Sequence, residues 1–131
     1  MATLNHPTAV RNAIADTVVD RIDAGAGAGK LKFYTSDGGS LLATLTFSDP
    51  AFGNAGASVA GRADAAAITS DTNTSAGTVT FFEVTDSNDV IVFEGDVTSD
   101  DVGTGSIQLS STTLGTGDTL SVSSLQYTAP V

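Results

Sequence analysis

The chain has no cysteine, no tryptophan and a single histidine, and no lysine or arginine follows residue 62. Without cysteine there are no disulfides, no thiolate metal sites and no thiol nucleophile. The one histidine, His6, sits beside the start of a helix-forming stretch. Alone it cannot close an imidazole metal shell, and a Ser-His-Asp triad built there lacks the packed surroundings that orient such a histidine. No apolar run approaches the roughly 18 residues that span a bilayer. Residues 1–7 have neither the basic stretch nor the apolar core of a secretion signal, which points to action where the chain is made or to exit by another route.

What is present is acidic. Arg11, Arg21, Lys30, Lys32 and Arg62 are balanced by five aspartates in the first 62 positions, and ten later carboxylates supply the net charge of −10. Such a surface is a poor match for phosphate backbones and is repelled by anionic lipid, so neither nucleic acid nor a membrane is an expected partner. At 131 residues, 40% of them apolar, the chain reads as a single domain with enough core to fold without staples.

One helix is expected over residues 7–24. Val10, Ile14, Val18 and Ile22 recur every fourth position, and Ala9, Ala13 and Thr17 fill the same side, a stripe expected to be buried. Pro7 suits the first turn and Gly25 the stop. Residues 25–29, Gly-Ala-Gly-Ala-Gly, read as a flexible hinge. Residues 30–131 read as strands: 30–35, then 41–47 after the Asp37-Gly38-Gly39 turn, a long irregular loop over 49–77 with at most one short strand near 65–69, and a hairpin of 78–85 with 90–97. A two-residue Ser87-Asn88 loop would set Val84 against Ile91 and Phe82 against Phe93. Strands 105–111 and 118–128 follow, with Ile107, Leu109, Leu120 and Val122 inward and an apolar phase shift after Val122 that marks a bulge or a change of sheet. The fold class is mainly β, a single antiparallel β-sandwich with one N-terminal α-helix.

Several chemistries fail on detail. The run from Gly25 to Lys30 lacks the first glycine, the magnesium-binding hydroxyl and the preceding strand of a phosphate loop. Glu83 and Glu94 read as diagonal hairpin neighbours, about 7–8 Å apart; carboxylates so spaced hydrolyse glycosides, but there is no tryptophan to stack a sugar and no cleft. Asp86, Asn88 and Asp89, and again Asp96, Asp100 and Asp101, cluster in turns. They lack the twelve-residue glycine-centred calcium loop, and turn formation explains them as well as weak calcium binding does. No catalytic residue, metal site or cofactor is expected.

The segment Ser-Leu-Leu-Ala-Thr-Leu-Thr-Phe-Ser-Asp-Pro-Ala-Phe-Gly-Asn-Ala at 40–55 resembles small virion structural proteins of tailed bacteriophages. So do the helix 9–28, Ala-Ala-Ala-Ile-Thr-Ser-Asp-Thr at 65–72 and Val-Ile-Val-Phe-Glu-Gly at 90–95. The likeness runs in order from Arg11 to about Val97 and is nearest to capsid decoration, or cement, proteins. It implies a non-enzymatic part made in the host cytoplasm and carried on the outer capsid surface. The implied partners are the major capsid protein and its own copies, as a symmetric oligomer for which a trimer is favoured. A tail- or fibre-associated module that binds a host surface or carbohydrate is the alternative; it would show exposed aromatics over a groove, with Tyr34 and Tyr127 the candidates.

Such a protein needs surfaces. The candidates are the helix stripe (Val10, Ile14, Val18, Ile22) with Arg11 and Arg21, the basic Lys30, Lys32 and Arg62, the loop at Phe52, and a hairpin face with Phe81, Val90 and Val92. The helix stripe and Phe52 have a competing use in the chain's own core. The charge division adds one expectation: the neutral first half faces the shell and the carboxylate-rich second half faces solvent.

Overall fold

The computed structural model describes residues 5–99 and 107–129. The chain is mainly β, with one helix, α1 (Thr8–Asp20), continued by a single 3-10 turn (Arg21–Asp23). Among the described residues nine strands follow: β1 Lys30–Tyr34, β2 Leu41–Thr46, β3 Arg62–Asp64, β4 Gly77–Thr78, β5 Phe81–Thr85, β6 Ile91–Ser99, β7 Ile107–Leu109, β8 Thr113–Leu114 and β9 Gln126–Thr128. They form a five-stranded sheet in the order β2-β1-β5-β6-β7 and two short pairs, β3-β9 and β4-β8, in a β-sandwich arrangement. Pairing is antiparallel except between β6 and β7, which run parallel.

Alternation along β1 divides the large sheet into two faces. On the inner face Leu31 lies between Leu45 and Val84, and Phe33 between Ala43 and Phe82. These side chains join Val19 and Ile22 from the helical segment, Ala63 of β3, Leu114 of β8, and Ile107, Leu109 and Leu120 in one hydrophobic cluster. On the outer face the cross-strand rows are Leu41–Tyr34–Phe81–Asp96, Thr44–Lys32–Glu83–Glu94 and Thr46–Lys30–Thr85–Ile91.

The long loop is not free. Its residues line the outer edge of β2: Thr46 and Thr69 exchange backbone hydrogen bonds, the Ser75 N–H donates to Leu42 O at 2.9 Å, and the Thr44 N–H donates to Asp71 Oδ2 at 2.8 Å. An edge that would otherwise offer unpaired donors and acceptors is thereby closed. The strand expected near 65–69 appears instead as β3, with isolated bridges from Phe52 to Ala65 and Thr46 to Thr69. Residues 118–128 are not one strand: Leu120 bridges to Asp71, and β9 then pairs with β3, so the phase shift marks a change of sheet. Residues 105 and 106 of the expected strand 105–111 lie outside the described residues.

Two further expectations need correction. Asp86–Asp89 forms a longer turn, with Asp89 left-handed (φ 66) and the Asp86 N–H donating to Val90 O. A bulge then shifts the hairpin register, so Val84 faces Phe93 and Phe82 faces Gly95. Glu83 and Glu94 are direct cross-strand partners instead of diagonal neighbours. Residues 25–29 are a packed connector, not a free hinge. The Gly27 N–H donates to Ser87 Oγ at 3.3 Å, Gly29 is buried, and a Cβ at Gly25 would collide with the Ser87 hydroxyl.

Candidate functional site

The helix expected from the sequence forms, but it is rotated. Ala15, Val19 and Ile22 are the residues it buries. Of the expected stripe, only Ile22 enters the core; Val10 is 41% exposed, and Ile14 and Val18 are half-buried and stand outside the core cluster. Beside Ala15, Val19 and Ile22 the inward side carries polar residues that serve a loop. Asp16 Oδ1 accepts from the Ala55 N–H at 2.7 Å, Asn12 Oδ1 from the Gly61 N–H at 2.7 Å, and the Asp23 carboxylate from the Ala51 N–H at 3.0 and 3.3 Å. Irregular backbone at 51–61 has donors that no ladder satisfies, and these side chains satisfy three of them. Burial pushes the Asp23 carboxyl above the usual carboxylate range; the hydrogen bond from Ala51 opposes that, and Asp49 and Asp20 add to it.

Phe52 belongs to the core. It is 6% exposed, its ring lies 5.8 Å from that of Phe47, and it bridges to Ala65. Arg11 lies against Gly61, Arg21 is exposed, and Arg62 Nε is 2.9 Å from Asp64 Oδ1. Lys30 and Lys32 both donate to Asp89 Oδ1, at 3.0 and 2.6 Å. These two pairs join the two halves of the sequence, because β1 lies between β2 and β5. The expected division into a neutral face and an acidic face is therefore not built: Lys30 and Lys32 share the outer sheet face with Glu83 and Glu94.

That outer face is the second candidate surface. Phe81 is half-buried, with Tyr34 beside it and the 45%-exposed Leu41 beyond. At the hairpin end Val90 and Ile91 are 57% and 49% exposed, whereas Val92 is half-buried against the core. Sequence reasoning missed Leu41 because the bulge at Tyr34 turns it out of the β2 alternation; Ile91 was missed because the hairpin bulge exchanges its face.

Tyr34 gives this face a titration of its own. Its hydroxyl is pushed up to about 12, by burial first, then by the hydrogen bond to Glu83 and the negative charges of Glu83 and Asp89. Between pH 10 and 12 the folded chain keeps a proton that the unfolded chain has lost. The stabilisation is complete below pH 10 and disappears as pH rises through 12. In a Tyr127→Phe variant Tyr34 is the only phenol, and with no tryptophan present its absorbance titration is clean. We expect a midpoint near pH 12 that moves down in Glu83→Gln; a midpoint near 10 would contradict this environment.

The turn carboxylates have protein partners. Asp86 Oδ1 accepts from the Asn88 and Val90 N–H groups at 2.8 and 3.0 Å, and Lys32 and Lys30 hold the Asp89 carboxyl below the usual range. Among the described residues no group of three or more acidic or histidine side chains is placed to hold a metal ion. Asp100 and Asp101 lie outside the described residues. A groove of about 1180 Å³ runs along residues 107–126, lined by hydroxyls such as Ser110, Ser121 and Ser123 and by no aromatic ring. Tyr127 packs on Phe93 at 5.4 Å between ring centroids, and Tyr34 lies on the open sheet face. No family model, curated protein or solved structure matches this chain.

Proposed function

We propose that the chain is a non-enzymatic structural protein of a tailed-phage virion. It decorates the outer capsid and clamps neighbouring shell subunits through contacts with the major capsid protein and with its own copies. The observation that carries this reading is a set of exposed apolar side chains, Val10 on the helix and Leu41, Val90 and Ile91 around the sheet, with Ile14, Val18 and Phe81 half-buried beside them. The ordered resemblance of residues 11–97 to virion proteins supports it. A clamp gains on the order of 25 kcal/mol for each 1,000 Å² of apolar surface buried, before association costs are subtracted. Broad apolar faces serve that purpose better than a pocket.

The hydroxyl-lined groove favours a second reading, a tail or fibre module that binds a host-surface carbohydrate; the lack of an aromatic platform in it weighs against that reading. Copy number separates the two, hundreds per particle for a decoration protein and a handful for a tail part. The direct test compares particles with and without the chain under heat and osmotic shock. Loss of DNA at lower temperature and milder shock is the expected result. Equal survival would overturn the clamping function.

A further inference from the structure

An edge strand presents a row of N–H and C=O groups that stay unpaired unless something covers them. The β2 edge of the large sheet is closed by residues 69–75. At the other edge β7 pairs with β6 only at Val97–Ser99. From Val92 to Asp96, among the described residues, β6 is therefore hydrogen-bonded on its β5 side alone. The Val97 N–H donates to Thr80 O, just before β5. Alternation along the strand then turns the N–H and C=O groups of Glu94 and Asp96 away from β5, into an opening about 17 Å long at about 3.4 Å per residue.

Burial marks the same opening. On the inner face Leu31, Phe33, Phe82 and Val84 are buried, whereas Phe93 and Gly95, which continue the same cross-strand rows onto β6, are half-buried. Exposed Glu94 and Asp96 alternate with them on the outer face. The stretch has none of the proline, lysine or inward-pointing charge that commonly blunts an edge.

Charge identifies the occupant. Glu94 stands directly opposite Glu83, and among the described residues neither Glu94 nor Asp96 has a cation partner; Lys32, in the same row, is held by Asp89. Like charges directly opposite are destabilising, and a cation on the next strand relieves them. The β6 strand of a second copy would add another Glu94 and Asp96 at that place, so the edge is set against pairing with itself. The chain's only lysines lie on β1, which is already paired on both sides.

We infer that the β6 edge from Val92 to Asp96 receives an extended segment of another protein, one in which Lys or Arg alternates with apolar residues. The segment extends the sheet in line with β7. Its cations lie beside Glu94 and Asp96 on the outer face, its apolar side chains beside Phe93 and Gly95 on the inner face, and its backbone pairs with the open N–H and C=O groups. The assignment does not rest on the shell reading; it fixes the chemistry of the partner segment.

Labelled synthetic peptides test it on the purified full chain at low salt. Lys-Val-Lys-Val-Lys is expected to bind at least about tenfold more tightly than Glu-Val-Glu-Val-Glu, and than its own fully N-methylated form, which keeps the charge but cannot pair. In a chain carrying Glu94→Lys and Asp96→Lys the preference between the two charged peptides reverses; both side chains are exposed, and circular dichroism checks folding. Amide hydrogen exchange reads the edge itself. In the free chain the Glu94 and Asp96 N–H groups exchange faster than those of Phe93 and Gly95, and the lysine peptide slows them. Absence of binding, equal binding of the N-methylated peptide, an unreversed preference in the folded double variant, or Glu94 and Asp96 amides as protected as Gly95 in the free chain overturns the inference. If the double variant fails to fold, the three peptides on the unsubstituted chain decide.

Discussion

Replacing both Asp16 and Asp23 with alanine is expected to destabilise the chain by about 2–6 kcal/mol. Each carboxylate accepts a loop N–H, from Ala55 and Ala51, and Ala51 is fully buried. A buried donor left without a partner costs about 1–3 kcal/mol. The two positions are seven helical steps apart, about 10 Å, and serve different donors, so their effects should add. Against a usual total of about 5–15 kcal/mol this is a large loss. Urea unfolding of the single and double variants measures it. Asp23→Asn keeps an acceptor and removes a charge that burial already disfavours, so it should change stability by less than about 1 kcal/mol. Val10→Ser, on the expected but unburied stripe, should stay within about 0.5 kcal/mol. If Val10→Ser proved costly and the aspartate pair silent, the helix would be docked by the other face.

Gly29→Ala is the second large effect, expected at about 3 kcal/mol. A Cβ at residue 29 would stand 2.7 Å from Thr85 O and 2.9 Å from Ile22 O, with the Ile22 side chain closer still. Two of these neighbours are backbone, one in the central strand β5 and one in the 3-10 turn, so neither yields without moving its element. Overpacking of this kind costs about 1–3 kcal/mol and sometimes more. Gly27→Ala is the control, since its Cβ would meet only the Ser87 Cβ at 3.8 Å. There the loss of chain freedom in the unfolded state is expected to stabilise by up to about 1 kcal/mol. Thermal unfolding of the two variants side by side distinguishes a packed connector from a tether. Equal, small effects at 27 and 29 would restore the tether.

These two predictions concern the places where the sequence was least legible. The start of α1 at Pro7, the strands β1 and β2, and the hairpin of β5 and β6 follow from signals local to each segment: a proline at a helix entrance, alternation, and turn residues between apolar runs. The buried face of α1 does not. A four-residue apolar recurrence marks the inside only when nothing else competes for it, and here α1 buries Ala15, Val19 and Ile22 while turning Asn12 and Asp16 to a loop whose backbone needs acceptors. Nothing local to residues 8–23 announces that need. The Gly-Ala run shows the same difficulty, because low side-chain volume accompanies both mobility and close packing, and the contact that decides is with residues 85–88. Register failed for a third reason: one left-handed residue, Asp89, and one bulge move every later partner, so Phe82 faces Gly95 instead of Phe93.

The outward surfaces became readable only with the fold. Val10, Ile14 and Val18 were singled out by spacing, yet that spacing pointed them to the core. Leu41 and Ile91 were hidden by the two bulges that turn them outward. Conversely, Phe52 and Ile22 are spent on the core, and Lys30 and Lys32 on Asp89. Among the described residues the acidic second half does not form a separate side: Asp89 meets Lys30 and Lys32, Asp64 meets Arg62, and Asp71 accepts from the Thr44 N–H.

A reconstruction of the assembled particle at side-chain resolution tests the central proposal most directly. The proposal predicts many copies seated across the joints between shell subunits, with the row Leu41–Tyr34–Phe81 and the outward face of α1 covered by neighbouring chains. A few copies confined to the tail, or shell-bound copies with both surfaces open to solvent, would contradict it.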